Sequence, residues 1–470
     1  MIGQGVGAAV AALRFSVIAH LLGPEQLGLA AILMLIMQFF DMITDAGMDR
    51  FLVQNAEGNN PRAQNLIHLV SVVRGCLITT GLYLLAGQVA EYFNQPRLVY
   101  ALQLVSVAPA IQGFLHYDVR RSQREHDFAP EGWLAIAELI SLVALTIAAF
   151  IVRDCTALSY ALVIRAVAVV VISHVNAKRP YRLAFSPEFA RSLSQFGMPL
   201  MLNGILLFAA GQGDRMFVAR QLTIVELGHY SAILMLISYP SSMILKLMQN
   251  MFLPVVSRAM EDQHRRGKEV SLLVGETLLT GTAMLLGYVA IAPVLVPILF
   301  GWAFAQYMYI FSLIGTMQIV RFIRLWPVTM ALAAGRTHQV LFSTILRLLM
   351  FPAAFAGQWL MGGMKGAVTG FIVGELISVV LGVWAANRRY HRPNAGDMVR
   401  LALFVGFCTA LTLSAWTAKE GYYLYTAFAM VIGFAILLVQ AYVDRVALWV
   451  LVGLVRHSMI GRFVERRFSS

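Results

Sequence analysis

Residues Arg14–Ile36 read RFSVIAHLLGPEQLGLAAILMLI, and residues Arg215–Ile237 read RMFVARQLTIVELGHYSAILMLI. Both stretches begin with arginine, carry a Leu-Gly pair (Leu27-Gly28 and Leu227-Gly228) and end in the same six letters, Ala31–Ile36 and Ala232–Ile237. Apolar helices draw on few residue types, so some likeness arises by chance. The shared arginine and the shared Leu-Gly favour an internal repeat. Each copy covers the end of one apolar run and the start of the next, and such runs are long enough to cross a hydrocarbon layer about 30 Å thick. The copies lie an even number of crossings apart and therefore run in the same direction. This predicts two parallel six-helix lobes related by an axis along the membrane normal.

The rest of the chain has the same character. Of its 470 residues, 59% are hydrophobic and 13% charged, and the mean hydropathy is +0.72. Soluble domains carry about 25% charged residues, so a soluble globular protein is excluded. Apolar length read against polar breaks places about fourteen transmembrane helices, at 3–21, 27–47, 66–88, 98–116, 132–152, 156–175, 197–220, 228–248, 271–299, 306–333, 338–360, 364–386, 399–417 and 421–442. The expected layout is an N-terminal lobe over 1–176, an inter-lobe linker over 177–196, a C-terminal lobe over 197–387, two further helices over 388–442 and a basic tail over 443–470. Within that tail, Val446–Val455 is too short to cross and is expected along the membrane surface. The first apolar run has no basic segment before it and no small-residue cleavage site after it, so no cleavable leader is expected. The start at Met1 is abrupt and leaves room for residues upstream.

The formal net charge is +12, yet no contiguous basic domain exists to hold a nucleic acid backbone, and nucleic acid is not an expected partner. The basic residues fall in alternate loops instead. With the N-terminus in the cytoplasm, inner loops hold Arg50, Arg62, Arg120, Arg121, Arg124, Lys178, Arg179, Arg265, Arg266 and Lys268 among others, whereas outer loops hold Arg97, Arg153, Arg220, Lys365 and Lys419. This is the positive-inside pattern, and it puts both termini in the cytoplasm. Trp133, Trp359, Trp384 and Trp416 fall near expected helix ends, as interfacial anchors do. Cys76 and Cys408 lie in apolar runs and Cys155 in a short loop, a spacing that builds neither a disulfide framework nor a metal site.

Charges inside the spans carry the functional signal. Eight cations fall there: Arg14, Arg74, Arg165, Arg215, Lys246, Arg321, Arg324 and Arg347. Each costs about 2.5 kcal/mol or more facing lipid, so these side chains are expected to face a watery cavity, a partner or the headgroups. Arginine suits phosphate, because its planar fork donates two parallel hydrogen bonds. The acids in the spans are Asp41, Asp45, Glu138, Asp214, Glu276 and Glu375. They either neutralise neighbouring arginines or bind a coupling proton or sodium ion. Asp41 and Asp45 share one helical face, and Asp214 precedes Arg215 in the repeat. Gly362-Gly363, Gly366 and Gly370 mark close helix packing. No nucleophile triad, phosphate-binding glycine loop or metal spacing stands out, and neither an enzyme nor a cofactor is expected.

Two segments resemble a known family. Ala19–Gln54, AHLLGPEQLGLAAILMLIMQFFDMITDAGMDRFLVQ, is similar to the second-helix signature of the Wzx-like polysaccharide flippases, a branch of the multidrug/oligosaccharidyl-lipid/polysaccharide superfamily. Phe196–Met260 resembles the second-lobe counterpart, including Asp214, Leu227-Gly228, Tyr230-Ser231, Pro240 and Pro254. The resemblance implies an all-α polytopic membrane protein with two lobes forming a V. It implies translocation of a polyprenyl-pyrophosphate-linked oligosaccharide across the bacterial inner membrane by alternating access, with membrane lipids, a polysaccharide polymerase and glycosyltransferases as partners. It puts Asp45 and Arg50 in the motif ending the second helix and turns Arg14 and Asp214 toward the central cavity. The short, nearly charge-free N-terminus departs from the family pattern. The alternatives are a cation-coupled drug antiporter of the same superfamily, for which an acidic cavity is expected, and a polytopic polymerase or acyltransferase, for which a long polar outer loop is expected.

Overall fold

The computed structural model describes residues 2–55, 57–260, 262–387, 395–416 and 422–443. The segment Val446–Val455 and the basic tail lie outside the described residues. In chain order the helices are α1 (Ile2–Ile43), α2 (Met48–Gln54), α3 (Pro61–Tyr92), α4 (Leu98–Val105), α5 (Val107–Gly113), α6 (Asp118–Arg124), α7 (Ala129–Val152), α8 (Thr156–Val175), α9 (Pro187–Gln221), α10 (Ile224–Ala259), α11 (Gln263–Phe300), α12 (Met308–Ile323), α13 (Leu325–Ala333), α14 (Thr337–Leu346), α15 (Met350–Met361), α16 (Gly363–Asn387), α17 (Ala395–Trp416) and α18 (Tyr422–Val443). No strand occurs among the described residues. The protein is an all-α multi-pass membrane protein.

Helix α1 contains a break at Gly23, whose φ of +82° and ψ of 178° lie outside the helical region, and Pro24 follows it. Only glycine takes such angles without strain, and proline cannot supply the amide hydrogen that would continue the first limb. The Arg14 guanidinium lies 2.5 Å from Glu138, and Glu138 lines the same cavity as Asp41. In one straight helix Arg14 and Asp41 would stand about 40 Å apart. The chain therefore doubles back at Gly23, and α1 is two antiparallel limbs.

By length and hydropathy, eleven helical stretches among the described residues can cross a membrane, or twelve if the bent pair Leu98–Gly113 and Asp118–Arg124 is one span. This is fewer than the fourteen expected, and the shortfall has identifiable places. The first of the eleven runs through the reversal at Gly23 and joins two expected crossings. Helix α18, Tyr422–Val443, has 22 residues and lies where the last crossing is expected, at 421–442, but is not among the eleven. Helix α9 starts ten residues before the expected position at 197, because Pro187 takes the first helical position and Glu188 complements the helix dipole there. The second half of the expected linker is therefore helical, and the part outside helices is the strap 177–186.

The chain forms two compact units, one of residues 1–235 with 296–305, the other of 236–295 with 306–470. In the first unit, Ala63, Ala86, Ala101, Ala137, Ala157 and Ala161 are buried while Leu77, Leu84, Ile151 and Val175 are exposed. A membrane protein packs this way. Lipid is as apolar as leucine, so helices gain from close backbone approach, which small residues permit. The repeat supplies the closest approach. A Cβ on Gly28 would sit 2.1 Å from the Ile224 carbonyl oxygen, and one on Gly228 would sit 2.1 Å from the Pro24 carbonyl oxygen. Each repeat glycine thus rests on the carbonyl four residues upstream of the other, a reciprocal contact that makes the two Leu-Gly pairs a local pseudo-two-fold. At one end of this unit Met48, Phe51 and Leu52 of α2 pack with Leu66 and Ile67 of α3, with Tyr117, and with Phe189 and Leu193 of α9.

In the second unit, Phe404, Phe407 and Leu411 of α17 pack on Ile319 and Phe322 of α12 and on Leu285 of α11. Helices α15 and α16 meet through glycine. A Cβ on Gly366 would lie 2.6 Å from the Gly357 carbonyl oxygen, and one on Gly370 would lie 2.3 Å from that of Ala353. Gly362 and Gly363 instead form the turn before α16, both at positive φ.

Candidate charged site

The first unit encloses a cavity of about 310 Å³ whose lining includes Asp41, Asp45, Asp49, Arg74, Arg120, Glu138 and Arg165. Helices α1, α2, α3, α6, α7 and α8, with Asp45 in the turn between α1 and α2, bring these side chains together. Glu138 of α7 is the hub. Its Oε2 accepts from Arg14 at 2.5 Å and its Oε1 from Arg165 Nε at 2.7 Å, so one carboxylate holds two guanidinium groups. Arg74 on α3 donates through Nε to the Thr44 hydroxyl at 2.8 Å, and through Nη2 to the Asp41 carbonyl oxygen at 3.0 Å and its carboxylate at 3.3 Å. Arg74 thereby ties down the end of the second limb of α1, where helical hydrogen bonding runs out. Asp45 accepts the Gly47 amide at 2.9 Å, which shapes the turn into α2.

Two cavity residues were not expected from sequence. Arg120 reads there as a loop anchor, yet α6 carries it to 2.9 Å from Asp49 and 3.8 Å from Glu131. Asp49 continues the spacing of four that begins at Asp41 and Asp45. That spacing is the signal that could have found it, hidden because helical structure breaks between Thr44 and Gly47.

The second unit holds a separate charged group. Glu375 of α16 is fully buried and accepts from Arg321 Nε at 2.7 Å and from Arg347 Nη2 at 3.3 Å. Arg324 donates to the Ser343 hydroxyl at 3.2 Å. Nearby in sequence but apart from this group, buried Asp397 accepts from Ser271 at 2.7 Å and from Arg400 at 3.2 Å. Charges taken out of water persist only when paired and hydrogen-bonded, and Glu138 and Glu375 supply that pairing, one in each unit.

The remaining expected residues stand outside these two groups. Asp214 is fully buried and accepts the Tyr230 hydroxyl at 2.9 Å and the Arg215 amide at 2.8 Å. Arg215 donates to Gln212 at 3.0 Å. Lys246 is exposed and Glu276 is buried. Cys155, in the loop between α7 and α8, is buried, and burial pushes its thiol up to about 12, with the nearby Asp154 charge adding to the shift.

A family model described as polysaccharide biosynthesis protein matches residues 17–309. The succinoglycan biosynthesis transport protein ExoT of Rhizobium meliloti is 26% identical over 297 residues, which span 62% of this chain and 59% of that protein. The lipopolysaccharide biosynthesis protein WzxC of Escherichia coli is 21% identical over 373 residues, 78% of this chain and 75% of that protein. Among solved structures, an inward-facing multidrug resistance MATE family transporter of the MOP superfamily aligns with a TM-score of 0.68 at 12% identity, covering 82% of this chain and 94% of its own. The lipid II flippase MurJ in an inward closed conformation aligns at 0.62 and 11% identity, covering 95% and 98%. At these identities the structural likenesses speak for the fold alone.

Proposed function

Because this chain belongs to the family of polysaccharide biosynthesis proteins whose model covers residues 17–309, we propose that it is a flippase for a polyprenyl-pyrophosphate-linked oligosaccharide used in surface polysaccharide synthesis. The supporting observation is the cavity of the first unit, where arginine and carboxylate side chains line about 310 Å³ within helices that read as membrane spans. Sequestering that much charge inside a membrane bundle costs several kcal/mol for each group and is retained where an ionic substrate or coupling ion uses it. The two curated relatives above carry transport and polysaccharide names, which favour this substrate class over a drug. The likeness to a MATE transporter supports a shared fold and does not choose between the two.

In this mechanism Arg14, Arg165 and Arg74 are the groups offered to the diphosphate, and Glu138 and Asp41 are their resting counter-ions. A diphosphate oxygen competes with Glu138 for the same N–H forks, so head-group binding is an exchange of one anion for another with little change in buried charge. Proton uptake by Glu138 has the same effect as substrate entry, because it removes the charge that holds Arg14 and Arg165, and this is the proposed route of ion coupling. The arginines around Glu375 offer a second anion-binding group in the other unit. The lipid tail stays in the bilayer while the protein alternates access to the head group from the two sides of the membrane. The protein sits in the bacterial inner membrane with both termini in the cytoplasm, as its loop arginines favour, and works beside glycosyltransferases that build the substrate and a polymerase that consumes it.

The test is export in a strain that depends on this chain. At matched protein abundance, Arg14→Ala with Arg165→Ala is expected to cut surface polysaccharide at least tenfold and to leave lipid-linked oligosaccharide accumulating in the inner leaflet. Wild-type export by the double variant overturns the site assignment. In vesicles, flipping that continues unchanged after the proton and sodium gradients are collapsed overturns the coupling.

A further inference from the structure

The strap 177–186 is the longest non-helical stretch among the described residues, and two histidines fasten it. His68 on α3 has Nδ1 3.2 Å from the Arg182 carbonyl oxygen, while its Nε2 accepts the Tyr117 amide at 3.1 Å. His116 has Nε2 2.9 Å from the Arg179 carbonyl oxygen, while its Nδ1 accepts the Asp118 amide at 3.2 Å. A ring nitrogen that accepts from an amide carries no proton, and one that faces a carbonyl oxygen must carry one. Both rings are therefore neutral, with opposite tautomers, and each bridges the strap to the first residues of α6. A third bridge runs the other way: the Lys178 amide donates to Asp118 Oδ2 at 2.7 Å, while Arg121 holds Asp118 Oδ1 at 2.6 Å. Tyr181 of the strap stacks on His68 with ring centroids 4.3 Å apart, and its edge meets His116 at 5.6 Å. The Arg179 side chain closes the far side on Asn59, at 2.9 and 2.8 Å.

Both ends of this clasp lead to other elements of the same unit. The strap runs into α9 at Pro187, whose first turns pack through Phe189 and Leu193 on the cluster around Phe51. On the other side, α6 leaves the preceding helix pair at a bend of 57°, and its third residue is Arg120, which reaches Asp49 in the lining of the charged cavity. The bend angle is set where the two histidines take the amides of Tyr117 and Asp118. A shift of α9 that pulls the strap must therefore either break these bonds or turn α6 and carry Arg120 with it.

We propose that the strap 177–186 couples the position of α9 to that of Arg120 at the charged cavity, with His68 and His116 as the positioning residues that transmit the movement. The proposal stands whether or not the substrate assignment above is correct, since it concerns mechanical linkage within one unit.

Hydrogen exchange on the full chain in lipid nanodiscs tests it. Two substitutions cut only the strap side of each bridge: His116→Asn keeps an acceptor near the Nδ1 position, and His68→Gln keeps one near Nε2. Arg179→Ala, at the partly exposed far side, is a milder variant for the case that a histidine change impairs folding. Each is expected to speed exchange in 177–186 by about tenfold, the consequence of losing roughly one hydrogen bond. The same variants are expected to speed exchange in 117–121, where no bond has been removed directly. Faster exchange in the strap with wild-type rates over 117–121 overturns the coupling, and unchanged rates in both segments overturn the clasp itself.

Discussion

Replacing Glu138 with glutamine keeps the shape and one acceptor oxygen of the hub but removes its charge. The structure predicts an effect out of proportion to the loss of one ion pair. Arg14 and Arg165 converge on the same carboxylate, with side chains 8% and 30% exposed. At about 4 Å and an effective dielectric of about 20, each pairing is worth up to about 4 kcal/mol before discounting. Glu138 is 18% exposed and borders the cavity, so water reduces that figure. About 1–2 kcal/mol for each partner is a reasonable remainder. Losing Arg165 alone leaves Glu138 still paired with Arg14, and the cost is about 1–2 kcal/mol. Losing the carboxylate removes the counter-ion that both guanidinium groups share, and the cost is about 3–5 kcal/mol, the range for breaking a buried ion pair from one side. Unfolding of the purified protein in mixed micelles, followed for E138Q, R14Q, R165Q and the two double variants with E138Q, measures these terms and their coupling. Inorganic pyrophosphate should raise the midpoint of E138Q more than that of wild type, because it supplies the missing anion. Equal destabilisation by E138Q and R165Q, with no differential response to pyrophosphate, would refute the reading of Glu138 as a shared counter-ion.

Other outcomes follow from different parts of the molecule. Gly228→Val should abolish accumulation of folded protein, since its Cβ would lie 2.1 Å from the backbone oxygen of Pro24, whereas Gly406→Ala, with nothing within 4 Å, should be neutral by thermal unfolding. Glu375→Gln should be costlier than Glu138→Gln, by about 1 kcal/mol or more, because Glu375 is fully buried between Arg321 and Arg347; the same denaturation assay checks the order. With its thiol pushed up to about 12, Cys155 holds about one thiolate in ten thousand at pH 8, so maleimide labelling of the loop between α7 and α8 should be silent until the protein unfolds.

The class of the molecule was legible in the sequence alone, because lipid imposes its demand locally: a run of about twenty apolar residues satisfies its own backbone and needs no distant partner to be recognised. The repeat was legible for a similar reason, through Arg14 and Arg215, Leu27-Gly28 and Leu227-Gly228. That these two glycines rest on each other's helices was not, since contact between residues two hundred positions apart depends on how the limbs turn at Gly23. The list of charged residues inside the spans could also be written from sequence, as each is conspicuous against apolar neighbours. Its partition could not. Arg74 and Arg165 line one cavity with Asp41 and Glu138, Arg14 joins them through its pairing with Glu138, Arg321 and Arg347 share Glu375 in the other unit, and Arg215 bonds Gln212 instead. Pairing is a matter of a few ångströms between helices remote in sequence. The hydrophobic pattern sets which residues enter the membrane, while only packed tertiary structure decides which charge stands opposite which, because the Coulomb term falls with a distance that no linear spacing encodes.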